Sequence, residues 1–436
     1  MAEAPANPPV ALARIRAHLA SPLFRNAYYL IASAGAGSLL GFLFWALAAR
    51  SYPDESVGRN FVLISAMMVA SSASQLGLGG VLVRYLPGAG ASTRALVVRA
   101  YALTGVLAAA IGLGVALTAD RWSSGTGFLG DGAWWVVAFV LATVAWTIFS
   151  IQDSVLTGLR QARWVPLENS LFSAAKVALL LAFAGVSGRA GIFLAWCVPV
   201  LLLLPPINLL IFRSLIPRHL ATSREVPRPR GALARLAAGT YVGGMFLVGS
   251  TTLLPVLVGA ELGSRQAAYF SIPWTIASGV QLVALNMTTS LTVEVAYDES
   301  KLRDYFRRIL RQTLRLVVPV VVVLTAAAHY VLLAFGAAYA REGATCLRLL
   351  ALSTIPNVVV MLGLSMARIQ HDARLASLVP GAACALTIGL SLALLPGLGI
   401  AGAGWAALAA QLAVALWLLA GPLRPVVLAR PRAGAR

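Results

Sequence analysis

The sequence predicts an all-α integral membrane protein of twelve transmembrane helices, and three observations carry that prediction. Apolar stretches of about 20 residues, the length that crosses a hydrocarbon core of roughly 30 Å, recur along all 436 residues. The chain is 59% hydrophobic and 11% charged, which leaves too little polar sequence for a second, water-soluble domain. The basic residues alternate as well. Of the 34, 26 fall at the two ends and in the even-numbered connections, 7 fall in the odd-numbered connections, and Lys176 alone lies inside a span. Positive charge is retained on the cytoplasmic side, so both termini are expected inside.

Taken in order, the first stretch, 26–49, follows a proline-containing segment with no apolar core, so it directs insertion itself and is no cleavable signal. Its Gly37 and Gly41 permit close helix contact. The second, 61–83, ends at Arg84, and the third, 95–118, opens among Arg94 and Arg99. The longest outward connection, near Asp120 to Gly132, leads to the fourth, 133–157, which carries Asp153 and is followed by Arg160. The fifth, 166–185, starts at Pro166 and contains Glu168 and Lys176. The sixth, 191–213, holds Pro199, Pro205 and Pro206. A proline- and arginine-rich connection then leads to the seventh and eighth stretches, 236–259 and 267–292, the latter with Gln281 and Asn286.

The segment Asp298–Arg315 is charged and helical in pattern, with Leu302, Tyr305, Phe306, Ile309 and Leu310 on one face. It is suited to lie along the inner membrane surface. The last four stretches are 316–335, 345–366, 376–396 and 400–420. Prolines inside the spans, among them Pro255, Pro273, Pro319, Pro356 and Pro380, free backbone carbonyls and permit bending.

An internal repeat divides the chain. Phe61 and Phe270 occupy like places, as do Arg160 and Arg368, and the pairs Gly191-Ile192 and Gly399-Ile400, at nearly constant spacing. Chance matching among common membrane residues is the competing explanation. A repeated six-helix unit has both copies facing the same way, with a path between them, which is a transporter arrangement. The expected organisation is a cytoplasmic segment 1–25, a six-helix bundle 26–213, a linker 214–235, a second six-helix bundle 236–422 and a basic tail 423–436.

Several classes are disfavoured. The net charge of +19 is spread over short loops without the patch that nucleic-acid binding requires, so it reads as a topology signal with attraction to anionic membrane lipid. Cys197, Cys346 and Cys384, like the four histidines, are widely scattered and suggest no metal or disulfide framework. Gly397, Gly399 and Gly402 satisfy a dinucleotide-binding pattern but precede a membrane helix. With two lysines no phosphate-binding loop is present, so no cofactor and no enzyme activity are expected.

Charge in hydrocarbon is costly and marks function by default. Lys176 lies about 15 Å into its span at 1.5 Å per residue, near the midplane, where it suits an anionic group. A buried lysine paired with a helix neighbour is the structural alternative, Asp153 being the expected partner. Asp153 is also a candidate for proton or cation coupling, with a plain ion pair the favoured reading, and Arg160 lies seven residues on, along the same helical face. Glu168, in a first helical turn, is explained best by the helix dipole. Asn286 lies deep enough to need a partner, and Arg84 is close enough to the inner end to snorkel.

The run Leu40–Pro87, LGFLFWALAARSYPDESVGRNFVLISAMMVASSASQLGLGGVLVRYLP, resembles the opening helix pair of bacterial polysaccharide-biosynthesis membrane proteins. These are the oligosaccharide flippases of the multidrug/oligosaccharidyl-lipid/polysaccharide exporter superfamily. Gln152–Lys176, QDSVLTGLRQARWVPLENSLFSAAK, is similar to that family's fourth and fifth helices, and LRLLALSTIPNVVVMLGLSMARIQ and GIAGAGWAALAAQ to its tenth and twelfth. The resemblance implies movement of a polyprenyl-pyrophosphate-linked saccharide from the inner to the outer leaflet of a bacterial plasma membrane, by alternating access and without ATP. It further implies a multi-pass monomer whose partners are the lipid-linked saccharide, membrane lipids and a glycosyltransferase or polymerase complex. Lys176, Arg84 and Asn286 are the residues offered to the substrate. Asp153, Glu168 and Arg160 are those offered to coupling or ion pairing. The absence of further cavity cations and of additional helices argues against lipid II itself. A cation-coupled exporter of small amphiphiles and a non-transporting scaffold of a glycan-assembly complex remain open alternatives.

Overall fold

The structure is a computed structural model that describes residues 37, 39–122, 132–184, 190–222, 232–295, 302–370 and 372–424. The N-terminal segment, most of the longest outward connection, residues 223–231 of the linker and nearly all of the basic tail lie outside the described residues. Those described form helices joined by short turns. Eight of the helices are long and apolar enough to cross a membrane, or nine with a bent pair counted as one span.

The order is α1 (Leu39–Ser51), α2 (Asp54–Ser74), α3 (Leu78–Tyr85), α4 (Thr93–Trp122), α5 (Ala133–Gly158), α6 (Trp164–Phe183) and α7 (Gly191–Leu210). A π-helical turn, Ile211–Leu215, carries α7 into α8 (Ile216–Thr222), downstream of the adjacent Pro205 and Pro206, where the regular hydrogen-bond ladder is already interrupted. Then come α9 (Ala232–Val295), α10 (Leu302–Leu333), α11 (Ala337–Ile369), α12 (Ala373–Leu398) and α13 (Ile400–Ala420).

Breaks occur where residues adopt left-handed backbone. α2 and α3 meet at 53° across Gln75-Leu76-Gly77, with Leu76 at φ 50° and Gly77 at φ 68°. α9 is divided at Gly263 (φ 80°, ψ 174°), between the seventh and eighth apolar stretches. α12 and α13 are joined by Gly399 alone (φ 58°), while a side chain at Gly402 would strike the Leu394 carbonyl 2.6 Å away. The three glycines of the dinucleotide-like pattern thus serve a tight helix junction. α12 starts on a side-chain cap, Asp372 Oδ1 accepting from the Arg374 and Leu375 amides at 3.0 Å each.

The interfacial segment expected at Asp298–Arg315 is corrected. From Leu302 the chain runs unbroken into α10, because no breaker intervenes before Pro319 and the helix passes through that proline too. Its apolar face is not laid on a membrane surface, since Phe306 and Ile309 are buried against the second half of the chain.

Three apolar clusters hold the fold. One, from Leu82 to Ile216, lies wholly within the first half, and another, from Ala284 to Leu423, wholly within the second. The third is shared, bringing Trp45, Phe61 and Trp196 together with Phe270, Leu332 and Tyr339. Here the two halves close on each other. A side chain on Gly58 would collide with the Ser264 carbonyl, and one on Gly259 with Val62. Tyr269 Oη donates to Asp54 Oδ2 at 2.9 Å, and Arg50 Nε to the Ala334 carbonyl at 2.9 Å. Every one of these contacts sits at the arginine-poor connections, so closure is at that face.

Candidate functional site

Lys176 occupies the eighth position from the C-terminal end of α6 and is 4% exposed. Its Nζ lies 4.1 Å from the centre of the Trp196 ring, 4.9 Å from Phe172 and 5.4 Å from Phe44. Three helices, α1, α6 and α7, therefore build an aromatic box around one ammonium group. Each ring face contributes about 0.5–2 kcal/mol of attraction to a cation. Among the described residues Lys176 has no carboxylate within ion-pair distance and no hydrogen-bond acceptor, so the expected pair with Asp153 is not formed. The amine is held by ring faces, which attract positive charge without neutralising it.

The box is one end of a continuous run of rings. Trp196 lies 6.4 Å from Trp45, and Trp45 lies 5.0 Å edge-on from Phe61. Phe61 then meets Phe270 of the second half at 6.5 Å, and Phe270 stacks on Trp274 at 5.5 Å. The two phenylalanines that mark like positions in the sequence repeat thus touch across the closed face.

The acidic residues form a separate cluster. Asp153, on the last turns of α5, accepts from Asn169 Nδ2 at 3.3 Å. Glu168 is 1% exposed, and neither of its carboxylate oxygens has a hydrogen-bond partner. The two carboxyl groups are neighbours, and Tyr101 of α4 lies beside Glu168 with its hydroxyl likewise unpartnered. Glu168 is not a cap, since α6 starts at Trp164 and puts it beyond the first turn, turned inward. Arg160 does not pair with Asp153 either. Helix α5 stops before it, Arg160 takes φ 59°, and the Gln161 amide returns to the Leu156 carbonyl at 2.8 Å. That termination turns Arg160 out to an exposed position, so helical spacing no longer relates the two.

Arg84 lies on α3, exposed, and is not brought into the lysine box. The backbone of Asn286 belongs to α9, and its side chain lies outside the described residues. Among those described, no three histidine, cysteine, aspartate or glutamate residues gather to hold a metal.

The second half contains a cavity of about 330 Å³ between α9, α11, α12 and α13. Its walls are mostly apolar, with Trp274 at one side, and three carboxamides enter it: Gln281, Asn357 and Gln411. Gln281 stood out in the sequence, whereas Asn357 and Gln411 did not. Both interrupt apolar runs as Lys176 does, and that interruption was the available signal. The aromatic box gave no signal, because rings are ordinary in membrane helices.

No protein-family model and no curated protein matches the sequence. Solved structures do match the fold. A multidrug resistance MATE family transporter of the MOP superfamily, in an inward-facing conformation, superposes with a TM-score of 0.71 at 14% identity, covering 91% of this chain and 96% of that one. The lipid II flippase MurJ in an inward closed conformation gives 0.68 at 12% identity, covering 91% and 87%. A MOP superfamily transporter from Pyrococcus furiosus Vc1 (DSM3638), described by a reverse polarity of its binding pocket, gives 0.64 at 15% identity over 93% and 96%. The chain therefore has the fold of MOP superfamily membrane transporters. These neighbours are transporters and flippases, not enzymes.

Proposed function

We propose that this protein is a flippase that carries a polyprenyl-pyrophosphate-linked oligosaccharide, a precursor of envelope or exported polysaccharide, from the inner to the outer leaflet of a bacterial plasma membrane. The observation that carries this reading is Lys176, a cation in the membrane interior with no carboxylate beside it among the described residues. A charge so placed needs a reason, and a pyrophosphate supplies one, because charge-assisted contacts hold phosphate oxygens strongly. The likeness in fold to a lipid II flippase supports the reading.

In this proposal twelve helices form two six-helix bundles, 26–213 and 236–422, with both termini in the cytoplasm. The arginine-poor face is then the outer one. Closure there describes a carrier that admits substrate from inside, and transport requires that Gly58–Ser264 and Phe61–Phe270 part while the opposite ends meet. The protein acts as a monomer, without cofactor, alongside glycosyltransferases or a polymerase. Arg84, exposed on its short helix, and Asn286 are kept as outer contacts for the head group.

A second reading, a cation-coupled exporter of amphiphiles, is favoured by the buried Glu168 and Asp153 and by the fold likeness to a multidrug transporter. The deciding experiment follows leaflet accessibility of lipid-linked oligosaccharide in cells with and without the protein. Accumulation on the inner leaflet is expected on deletion, and again with Lys176→Ala at normal protein abundance. An unchanged distribution, in cells with no redundant flippase, moves the assignment to the exporter or to a scaffold.

A further inference from the structure

We propose that the second-half cavity is a binding site for one neutral sugar unit, held through the carboxamides of Gln281, Asn357 and Gln411 and packed against Trp274. The inference deepens the flippase reading and rests on it for its biological setting, but its chemistry is read from the cavity.

Three helices that are far apart in sequence each deliver one amide to the same space: Gln281 from α9, Asn357 from α11 and Gln411 from α13. Among the described residues none of the three makes a hydrogen bond to protein, and the Gln411 Oε1 is buried with no partner at all. Buried polar groups are ordinarily satisfied, and a membrane interior makes leaving them unsatisfied more costly still. Two of the wall hydroxyls behave differently. Ser353 donates to the Leu350 carbonyl at 2.7 Å and Thr251 to the Val248 carbonyl at 3.0 Å, each within its own helix. Three amides without protein partners among the described residues, in a space walled mostly by apolar side chains, therefore mark a place shaped for something else.

The donor set names the class. An amide both donates and accepts, as does a hydroxyl, so a cluster of amides pairs with a cluster of hydroxyls in whichever direction the protons point. Among the described residues no ionisable side chain lines the cavity, so it offers no full charge to pair with an anion or a cation. Trp274 and the aliphatic walls suit the C–H face of a sugar ring, and about 330 Å³ lies within the range of small-molecule sites. A pyrophosphate finds no countercharge among the described walls of this cavity and is left to the cation of the other half.

The test uses the full-length protein in amphipol, with hexyl glucoside and hexyl N-acetylglucosaminide as probes. Hexanol, hexyl sulfate and hexyltrimethylammonium serve as controls of equal chain length. Both glycosides are expected to raise the melting temperature saturably, and the controls are not. Gln411→Met is expected to weaken the glycoside effect about tenfold, the loss of one hydrogen bond to a bound ligand, while the ligand-free variant melts no lower than wild type. Asn357→Leu provides a second variant with the same expectation.

Protection by hexyltrimethylammonium in place of the glycosides, or no glycoside protection at all, overturns the proposal. So does glycoside protection that both variants leave intact. Methyl glucoside distinguishes the source of the ligand: protection equal to that of the hexyl glycosides assigns the site to a free sugar, and weaker protection to a lipid-borne one. The leaflet experiment fails independently. Glycoside protection without a leaflet effect keeps the sugar site and removes the flippase, and the converse removes the site and keeps the flippase.

Discussion

The two halves of the chain share a helical design yet bury opposite chemistry. The first half encloses Lys176 in its aromatic box and, beside the start of the same helix, the carboxyl groups of Glu168 and Asp153. The second half encloses a cavity walled by apolar side chains, amides and hydroxyls, with no ionisable side chain on its wall among the described residues. Burying a charge costs far more than burying an amide, and the first half offsets that cost for Lys176 with ring faces. The second can leave its amides open to a ligand. One helical fold thus divides its buried chemistry between its two halves.

The largest expected effect comes from breaking the surface where the halves meet. Gly58→Val places a side chain into the Ser264 carbonyl, a backbone atom that cannot rotate away. The closed face is expected to open, and transport to fall by more than tenfold. Spin labels at the exposed positions Glu55 and Arg341 read this directly, as a longer and broader distance distribution. A wild-type distribution in Gly58→Val is incompatible with the packing described.

Lys176→Met comes next, and it separates function from stability. Ring faces attract the ammonium but do not replace its water shell, and an apolar side chain of similar length fills the same box. The melting temperature is expected to hold or rise while transport of the lipid-linked saccharide is lost. A fall of several degrees, with transport preserved, makes Lys176 a structural element. Glu168→Gln is a smaller change of the same kind. It replaces a buried, unpartnered carboxyl by an amide of the same shape that cannot ionise, and the melting temperature is expected to hold or rise, read in a thermal melt. If Glu168→Gln abolishes transport as well, the coupled-exporter reading gains what the flippase reading loses.

How much of this was legible in the sequence differs by physical cause. Membrane insertion follows from length and hydrophobicity, which are local quantities, and the stretches at 95–118, 133–157 and 376–396 each fall within a single helix. Lys176 was legible because a charge in an apolar run is anomalous whatever surrounds it. Its environment was not legible, because Phe44 and Trp196 come from helices 132 and 20 residues away and only packing unites them. Arg160 was misplaced for a related reason. Helical spacing relates residues 153 and 160 only while the helix continues, and it ends at Gly158. The cavity amides needed three helices to be superposed before they formed a cluster. The interfacial reading of Asp298–Arg315 failed because an amphipathic pattern specifies an apolar face without saying whether lipid or protein covers it.

The smallest effect tests how firmly the halves are joined away from the closed face. Tyr241 Oη donates to the Ala73 carbonyl at 3.0 Å, linking the first part of α9 to the last turn of α2 just before the 53° bend. A backbone carbonyl one turn from a break has lost part of its helical partner set, so the tyrosine satisfies it from the opposite half. Tyr241→Phe removes one hydrogen bond and nothing else, about 0.5–1.5 kcal/mol, which is a shift of roughly two- to tenfold in any equilibrium that breaks the contact. If α2 swings away from α9 during transport, the variant is expected to alter the rate by that factor without lowering the melting temperature appreciably. If the two helices move as one body, the rate stays at the wild-type value and the loss appears in the melt alone. The contrast between halves then has its mechanical boundary elsewhere, at the Gly58 and Gly259 contacts, where the packing leaves no room for a side chain.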